Sequence, residues 1–227
     1  MEVRDLQQPL TEDGAWCFFA DPRAVYYEGR FRRTYAGWIT SRGNVMLGSF
    51  NHDNGDIQTV IVRESLQQDD HANPSLYIDQ DGFITIFYSA HCGPDMYYRM
   101  SGRPEDIFSL GEEKVIPVNS EGNKGFTYPA PIYLPAEKKL YLFWRGGNFK
   151  PTFSICESLA ENRWLPAQTF IEDRGDRPYI RYVSDGEKAI HFAFTDGHPN
   201  VEPTNSIYYA KYVQGCFFRA DGTPIHA

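Results

Sequence analysis

His71, His91, Tyr128 and Arg145 are the side chains of this 227-residue chain whose types and spacing could move a proton beside a carboxylate. His71 lies in Asp69-Asp70-His71-Ala72-Asn73-Pro74, and His91 follows twenty residues later in Tyr88-Ser89-Ala90-His91. Between them, Ser75–Ile78 and Phe83–Tyr88 read as two strands joined by a tight turn at Asp81-Gly82. Such a hairpin brings its outer ends together, so the two imidazoles are expected side by side at one mouth of a sheet. Tyr128 sits in Thr127-Tyr128-Pro129-Ala130-Pro131. Arg145 closes the apolar run Leu140-Tyr141-Leu142-Phe143-Trp144, where a charge is costly unless an anion answers it.

Histidine or tyrosine can take a proton from a weakly acidic carbon, and a neighbouring one can return a proton to a leaving oxygen. An arginine and a protonated or hydrogen-bonding side chain, here Arg145 with His91, are expected to neutralise the adjacent carboxylate and stabilise the enolate-like intermediate, with His71 and Tyr128 transferring the protons. At C5 of a uronic acid this adds up to β-elimination, which leaves a double bond between C4 and C5. Arg177 in Asp176-Arg177-Pro178-Tyr179, His198 in Thr195-Asp196-Gly197-His198-Pro199, and Asn73 beside His71 are the candidates for substrate contact.

Other uses of these residues are open. Arg145 and Arg177 could hold a carboxylate for a sialidase-like glycoside hydrolase, although no carboxylate is clearly placed as its acid. Asp69 with Asp70, or Asp79 with Asp81, would be the paired carboxylates of a hydrolase, but the second pair falls in a hairpin turn at the far end from His71. A non-catalytic carbohydrate-binding module is a further alternative. His71 could simply cap a turn, His91 and His198 could be ordinary loop residues, and Tyr128 could be packing.

The elements that must position this set recur four times: an apolar strand, a tight polar turn, and a strand rich in aromatics. The copies run from Tyr35 to Phe50, Pro74 to His91, Ala130 to Gly147 and Arg177 to His198. Their turns fall roughly 40 to 55 residues apart, the spacing of propeller blades. A third strand follows each hairpin at Thr59–Ser65, Met96–Ser101, Thr152–Ser158 and Ser206–Tyr212, and a weaker fourth is expected over Trp164–Ile171. Fifteen prolines and nineteen glycines fall mostly between these segments and disfavour long helices. The fold class expected is therefore all-β, a propeller of four-stranded antiparallel blades, with four or five blades in a single domain over residues 1–227. Radial blades would bring the polar residue at the outer end of each hairpin onto one face.

Composition narrows the partners. A net charge of −8 argues against a general nucleic-acid binder, and an anionic ligand needs arginines gathered locally. No run approaches the ~20 apolar residues of a membrane span, and Met1-Glu2-Val3-Arg4-Asp5 lacks the apolar core of a secretory signal. Cys17, Cys92, Cys156 and Cys216 form no Cys-x-x-Cys pair, so neither a disulfide framework nor a zinc ribbon is indicated. Cys92, beside His91, is the candidate metal ligand among them. The proton-transfer chemistry needs no cofactor, and a structural calcium or zinc ion is compatible with the residues present, though no ligand spacing is diagnostic.

Trp16–Val25, Asp69–Leu76, Tyr88–His91, Tyr128–Pro131, Phe143–Gly147 and His191–Pro199 together resemble BNR-4 repeat proteins, a group that includes the propeller-type ulvan lyases. The resemblance spans Trp16 to about Gly222. It implies a seven-bladed propeller that cleaves sulfated rhamnose-uronate polysaccharide by β-elimination. It also implies paired catalytic histidines at His71 and His91, a catalytic tyrosine at Tyr128, a carboxylate-neutralising arginine at Arg145, and substrate binding at Arg177. Such proteins are usually longer and exported. This chain is accordingly expected to lack C-terminal blades, which self-association or another chain would supply.

Overall fold

Alternation along each strand decides how the sheets pack, because successive side chains point to opposite faces. A computed structural model describes residues 8–123, 125–172 and 177–225. The first sheet holds β1 (Ala24–Glu28), β2 (Arg32–Ile39), β3 (Val45–Asn51) and β4 (Ile57–Arg63), and the second β5 (Ser75–Ile78), β6 (Ile84–Ser89), β7 (Met96–Met100) and β8 (Lys114–Val115). In the third, β9 (Thr127–Leu134), β10 (Lys139–Arg145) and β11 (Pro151–Ser158) are followed by the short β12 (Arg163–Trp164) and β13 (Gln168–Thr169), both paired with β11. The fourth holds β14 (Ile180–Ser184), β15 (Ala189–Thr195), β16 (Ile207–Val213), β17 (Cys216–Phe218) and β18 (Pro224–Ile225).

Within every sheet neighbouring strands are antiparallel. The first strands touch in series, β1 against β5, β5 against β9, and β9 against β14. That arrangement is the one blades take around a propeller axis. The all-β propeller read from the repeat is the fold observed. Among the described residues, helix is confined to 3-10 turns at Asp70–Ala72, Ile107–Ser109 and Gly147–Phe149. No helix among them is long and apolar enough to cross a membrane.

The core lies between blades. On β6, Ile84, Ile86 and Tyr88 pack with Tyr35, Leu47 and Val62 of the first blade, while Phe87 turns to Leu142, Trp144 and Trp164 of the third. On β10, Leu140, Leu142 and Trp144 face the second blade, and Tyr141 and Phe143 face Ile190, Phe192 and Tyr212 of the fourth. Arg145 continues the Tyr141–Phe143 side one step past the packed seam.

Two details differ from the sequence reading. In the first blade the Tyr35–Phe50 hairpin is the second and third strands, because β1 precedes it; Ala24–Glu28 has no turn signal of the repeat type ahead of it. The fourth strand expected over Trp164–Ile171 is broken into β12 and β13, with Pro166 between them unable to donate to a ladder.

Phe143 is nearly fully buried and packs against Tyr141, Phe153, Phe170, Tyr182 and Phe192. Phe143→Ala is expected to lower stability by about 3–5 kcal/mol, while Phe108→Ala, at an exposed ring, stays within about 0.5 kcal/mol. Urea unfolding of the two variants checks this, and equal midpoints would contradict the seam assignment.

Candidate active site

Asp69 organises the two histidines. Its carboxylate accepts the His71 main-chain N–H at 2.9 Å, capping the 3-10 turn at Asp70–Ala72. The same carboxylate takes His71 Nδ1 on one oxygen at 2.7 Å and His91 Nδ1 on the other at 2.9 Å. Asp70 stands 3.0 Å from His71 Nδ1 as well. The imidazoles stack with centroids 4.4 Å apart and planes within 8°. The pairing expected from the hairpin is present, and a single carboxylate locks it.

Burial opposes ionisation of Asp69, but the hydrogen bonds from the His71 main chain and from both imidazoles outweigh it and hold the acid at about 2. An ionised carboxylate only accepts, so each Nδ1 carries a proton, and in the neutral ring Nε2 is the nitrogen with the free lone pair. For His91, burial lowers the pKa below the ordinary 6.5; the bond to Asp69 opposes this, and the charges of His71 and Arg145 add to it. His91 is therefore neutral at neutral pH.

Tyr128 comes next because of a β-bulge. Across β9 and β10, Phe143 pairs with Ala130 and Arg145 with Thr127, so Tyr128 and Pro129 together face Trp144. A bulge re-aims side chains, and Tyr128 takes the left-handed φ of 62°, a conformation costly for a bulky residue. Its ring lies 5.9 Å from His71, 6.4 Å from His91 and 4.7 Å from the Arg145 guanidinium carbon. Burial raises the phenol well above its usual range, with Arg145 pulling the other way. The Tyr128 hydroxyl is buried without a hydrogen-bond partner among the described residues, so it holds a proton that nothing in the described chain receives.

Arg145 is only 7% exposed. Its Nη2 reaches Thr127 Oγ1 at 3.5 Å and Cys92 Sγ at 3.4 Å, both weak contacts. Its Nε has no partner and no carboxylate pairs with it among the described residues. Phe149 covers it at 5.4 Å and carries Arg177 at 4.5 Å on its ring.

The loop after His91 is fastened to the strand bearing Tyr128. Cys92 N–H donates to Thr127 Oγ1 at 2.8 Å, and Gly93 and Phe126 exchange main-chain bonds at 2.8 and 3.2 Å. The approach is so close that a Cβ on Gly125 would lie 1.7 Å from the Gly93 carbonyl oxygen, which leaves room there only for glycine.

The structure thus brings His71, His91, Tyr128 and Arg145 together, with Arg177 joined through Phe149. Asn73, expected to touch substrate, is fully buried. Its side-chain oxygen accepts the Cys17 N–H at 3.1 Å and its thiol at 3.0 Å; it anchors the segment before β1 and has no surface to offer a ligand. His198 lies farther along, reached through rings the sequence reading did not single out. Tyr128 contacts Phe19 at 5.3 Å, Phe19 stacks on Tyr179 at 4.5 Å, and Tyr179 meets His198 at 5.7 Å. Only the X-Pro punctuation around Tyr128 and Tyr179 marks these turns in sequence. Asp79 caps its own hairpin turn through the Asp81 and Phe83 N–H groups, in keeping with its exclusion as an acid.

Asp69, His71 and His91 are the group of described residues whose ligand atoms gather closely enough, within 4.8 Å, for a metal ion. The ring planes are parallel, so their lone pairs run side by side, whereas tetrahedral zinc needs them to converge. Cys92 turns to Arg145 and is outside this group.

The chain belongs to the BNR repeat-containing family: the BNR_4 family model matches residues 33–227. No curated protein matches it. A solved PL25 ulvan lyase bound to -[GlcA(1-4)Rha3S]- superposes with a TM-score of 0.70 at 16% identity over 94% of this chain and 57% of that one. A second polysaccharide lyase structure gives 0.54 at 15% identity, over 90% of this chain and 53% of that one. The catalytic domain of a Coprinopsis cinerea GH62 α-L-arabinofuranosidase gives 0.53 at 12% identity, over 95% and 68%. The chain spans little more than half the length of the two lyases it matches. At these identities the likeness establishes the shared fold.

Two acid-side losses of stability follow from these groups. Unfolded His91 binds its proton at about 6.5 and folded His91 only at lower pH, so stability falls as pH drops below 6.5. Asp69 contributes stability that is complete above about 4 and is lost as pH falls towards 2. In Asp69→Asn the opposing bond is gone, and the His91 titration is expected to move further down. Imidazole nitrogen NMR checks this; a His91 midpoint above 6.5 in the native protein would contradict the burial argument.

Proposed function

We propose that this protein acts on glycans as a polysaccharide lyase, cleaving a uronate-containing, ulvan-like polymer by β-elimination. The observation that carries the reading is Arg145, a buried guanidinium without a carboxylate partner among the described residues. Burying an unpaired charge is costly, and a substrate carboxylate arriving at Tyr128 and Phe149 would complete the pair. The negative charge that grows there as C5 loses its proton is then stabilised in a site of low polarity.

In this mechanism His71 Nε2, the acceptor nitrogen of the neutral ring whose Nδ1–H is given to Asp69, takes the C5 proton. The C5–H electrons form the C4–C5 double bond as the C4–O bond breaks, and the Tyr128 hydroxyl, kept protonated by burial, passes its proton to the departing oxygen. Solvent exchange returns His71 and Tyr128 to their starting states. His91 supports the stacked pair. Because its Nδ1–H is given to Asp69, its outward nitrogen accepts, so neutralising the substrate carboxylate falls to Arg145 alone, with Arg177 nearby. Asp69, held at about 2, is unsuited to the acid role a hydrolase would need. The lyase bound to a glucuronate-rhamnose sulfate unit, similar in fold, supports an anionic polysaccharide as substrate. Blades from further chain or from a second copy would extend the binding face.

Incubation with ulvan, heparan-type and pectin-type uronates should raise ultraviolet absorbance with one polymer, and His71→Ala and Tyr128→Phe should each lower the rate by about 10²–10⁴-fold with unchanged circular dichroism. Full activity in both variants would overturn the residue roles. New reducing ends without absorbance would replace elimination by hydrolysis, and saturable binding without product would make the chain a binding module.

A further inference from the structure

The four cysteines are all free, and they differ in what surrounds the sulfur. Cys17 is buried, gives its thiol to Asn73 Oδ1 at 3.0 Å, and has its pKa raised by burial. Burial likewise pushes the Cys156 thiol up to about 12. Such thiols behave as small core side chains. Cys216 is exposed. Cys92 is half-buried and has a cation against its sulfur, Arg145 Nη2 at 3.4 Å. A partly exposed sulfur beside a positive charge is the setting of reactive cysteines.

The main chain fixes that sulfur in place. Cys92 takes the left-handed φ of 56°, its N–H is bound to Thr127 Oγ1 at 2.8 Å, and the next residue closes the turn from Gly93 N–H to Ala90 O at 2.9 Å. The carboxylates on the neighbouring segments are engaged elsewhere. Asp69 holds His71 and His91, Asp70 stands 3.0 Å from His71 Nδ1, and Asp95 accepts the Tyr97 hydroxyl at 3.2 Å. Arg145, more than nine-tenths buried and with Nε unpartnered among the described residues, is left without an anion. An oxygen added to the Cys92 sulfur would supply one at its edge.

We infer that Cys92 is a modification site, oxidised by a hydroperoxide to a sulfenic acid whose oxygen, ionised as sulfenate, pairs with Arg145 in the place a substrate carboxylate would take. The sulfur attacks one peroxide oxygen, and an S–O bond forms as the O–O bond breaks. Sulfur loses two electrons, the peroxide is reduced to an alcohol or water, and the thiol proton leaves on the second oxygen. Two equivalents of a small thiol reverse the change through a mixed disulfide, releasing water. A guanidinium holds an oxyanion more strongly than a neutral thiol, so the oxidised form closes Arg145 to an anionic polymer. That closure rests on the reading of Arg145 as the carboxylate site of a lyase, whereas the oxidation itself does not.

Treating the full chain with hydrogen peroxide in the presence of dimedone, and locating the adduct by peptide mass spectrometry, tests the modification. Label should build up on Cys92 ahead of Cys17 and Cys156, and Arg145→Gln should slow it about ten-fold. Calorimetric binding of an ulvan oligosaccharide before and after peroxide tests the closure. Affinity should fall about ten-fold in the native protein and in Cys216→Ala, recover with dithiothreitol, and be unaltered by the treatment in Cys92→Ala. Cys92 labelled no faster than Cys156, equal labelling in folded Arg145→Gln, or a Cys17–Cys92 disulfide in place of the adduct would overturn the site. Undiminished binding by the oxidised protein, or the same loss in Cys92→Ala, would overturn the closure. Arg145-dependent labelling of Cys92 without elimination from any uronate polymer would remove the lyase reading and keep the site.

Discussion

A guanidinium buried without a carboxylate is the constraint around which the site is arranged. Arg145 is carried there by the strand that builds two blade seams: Leu140, Leu142 and Trp144 fill one, Tyr141 and Phe143 the other, and the next residue on the Phe143 side emerges just beyond the packed layer. The aromatic interfaces on either side of β10 hold it in place and supply the apolar surroundings that make its charge expensive. Phe149 and Tyr128 cover its faces without satisfying it.

The bulge at Tyr128 and the carboxylate of Asp69 answer that constraint in different ways. The bulge puts a strained tyrosine over the guanidinium, with its proton retained by burial. Asp69 turns two chemically equivalent histidines into a stacked pair of acceptors by occupying both inner nitrogens. Farther along the same face, His198 is turned the other way by one main-chain N–H. Three histidines thus present two acceptors and one donor, fixed by what each ring's other nitrogen touches.

Much of this was legible in the sequence because it follows from strand periodicity and turns. The hairpin between His71 and His91 fixes their proximity, and the apolar run before Arg145 fixes its unusual placement. The blade count among the described residues follows from the four hairpins. What escaped depends on contacts between segments distant in sequence. Asp69 reads as a turn cap or half of a carboxylate pair, and nothing local shows that His91 will share it. Asn73 sits among polar neighbours, yet Cys17 claims it from 56 residues away. Phe19 precedes the first blade and joins the site only by lying across to Tyr128 and Tyr179. β1 carries no turn signal of the repeat type, so the first blade starts one strand ahead of its Tyr35–Phe50 hairpin.

The most direct measurement is a crystal structure of the protein with a uronate oligosaccharide bound. The account predicts the uronate carboxylate within hydrogen-bond distance of Arg145, C5 facing His71 Nε2, and the glycosidic oxygen within reach of the Tyr128 hydroxyl. A carboxylate bound away from Arg145, with the guanidinium still unpaired, would contradict it.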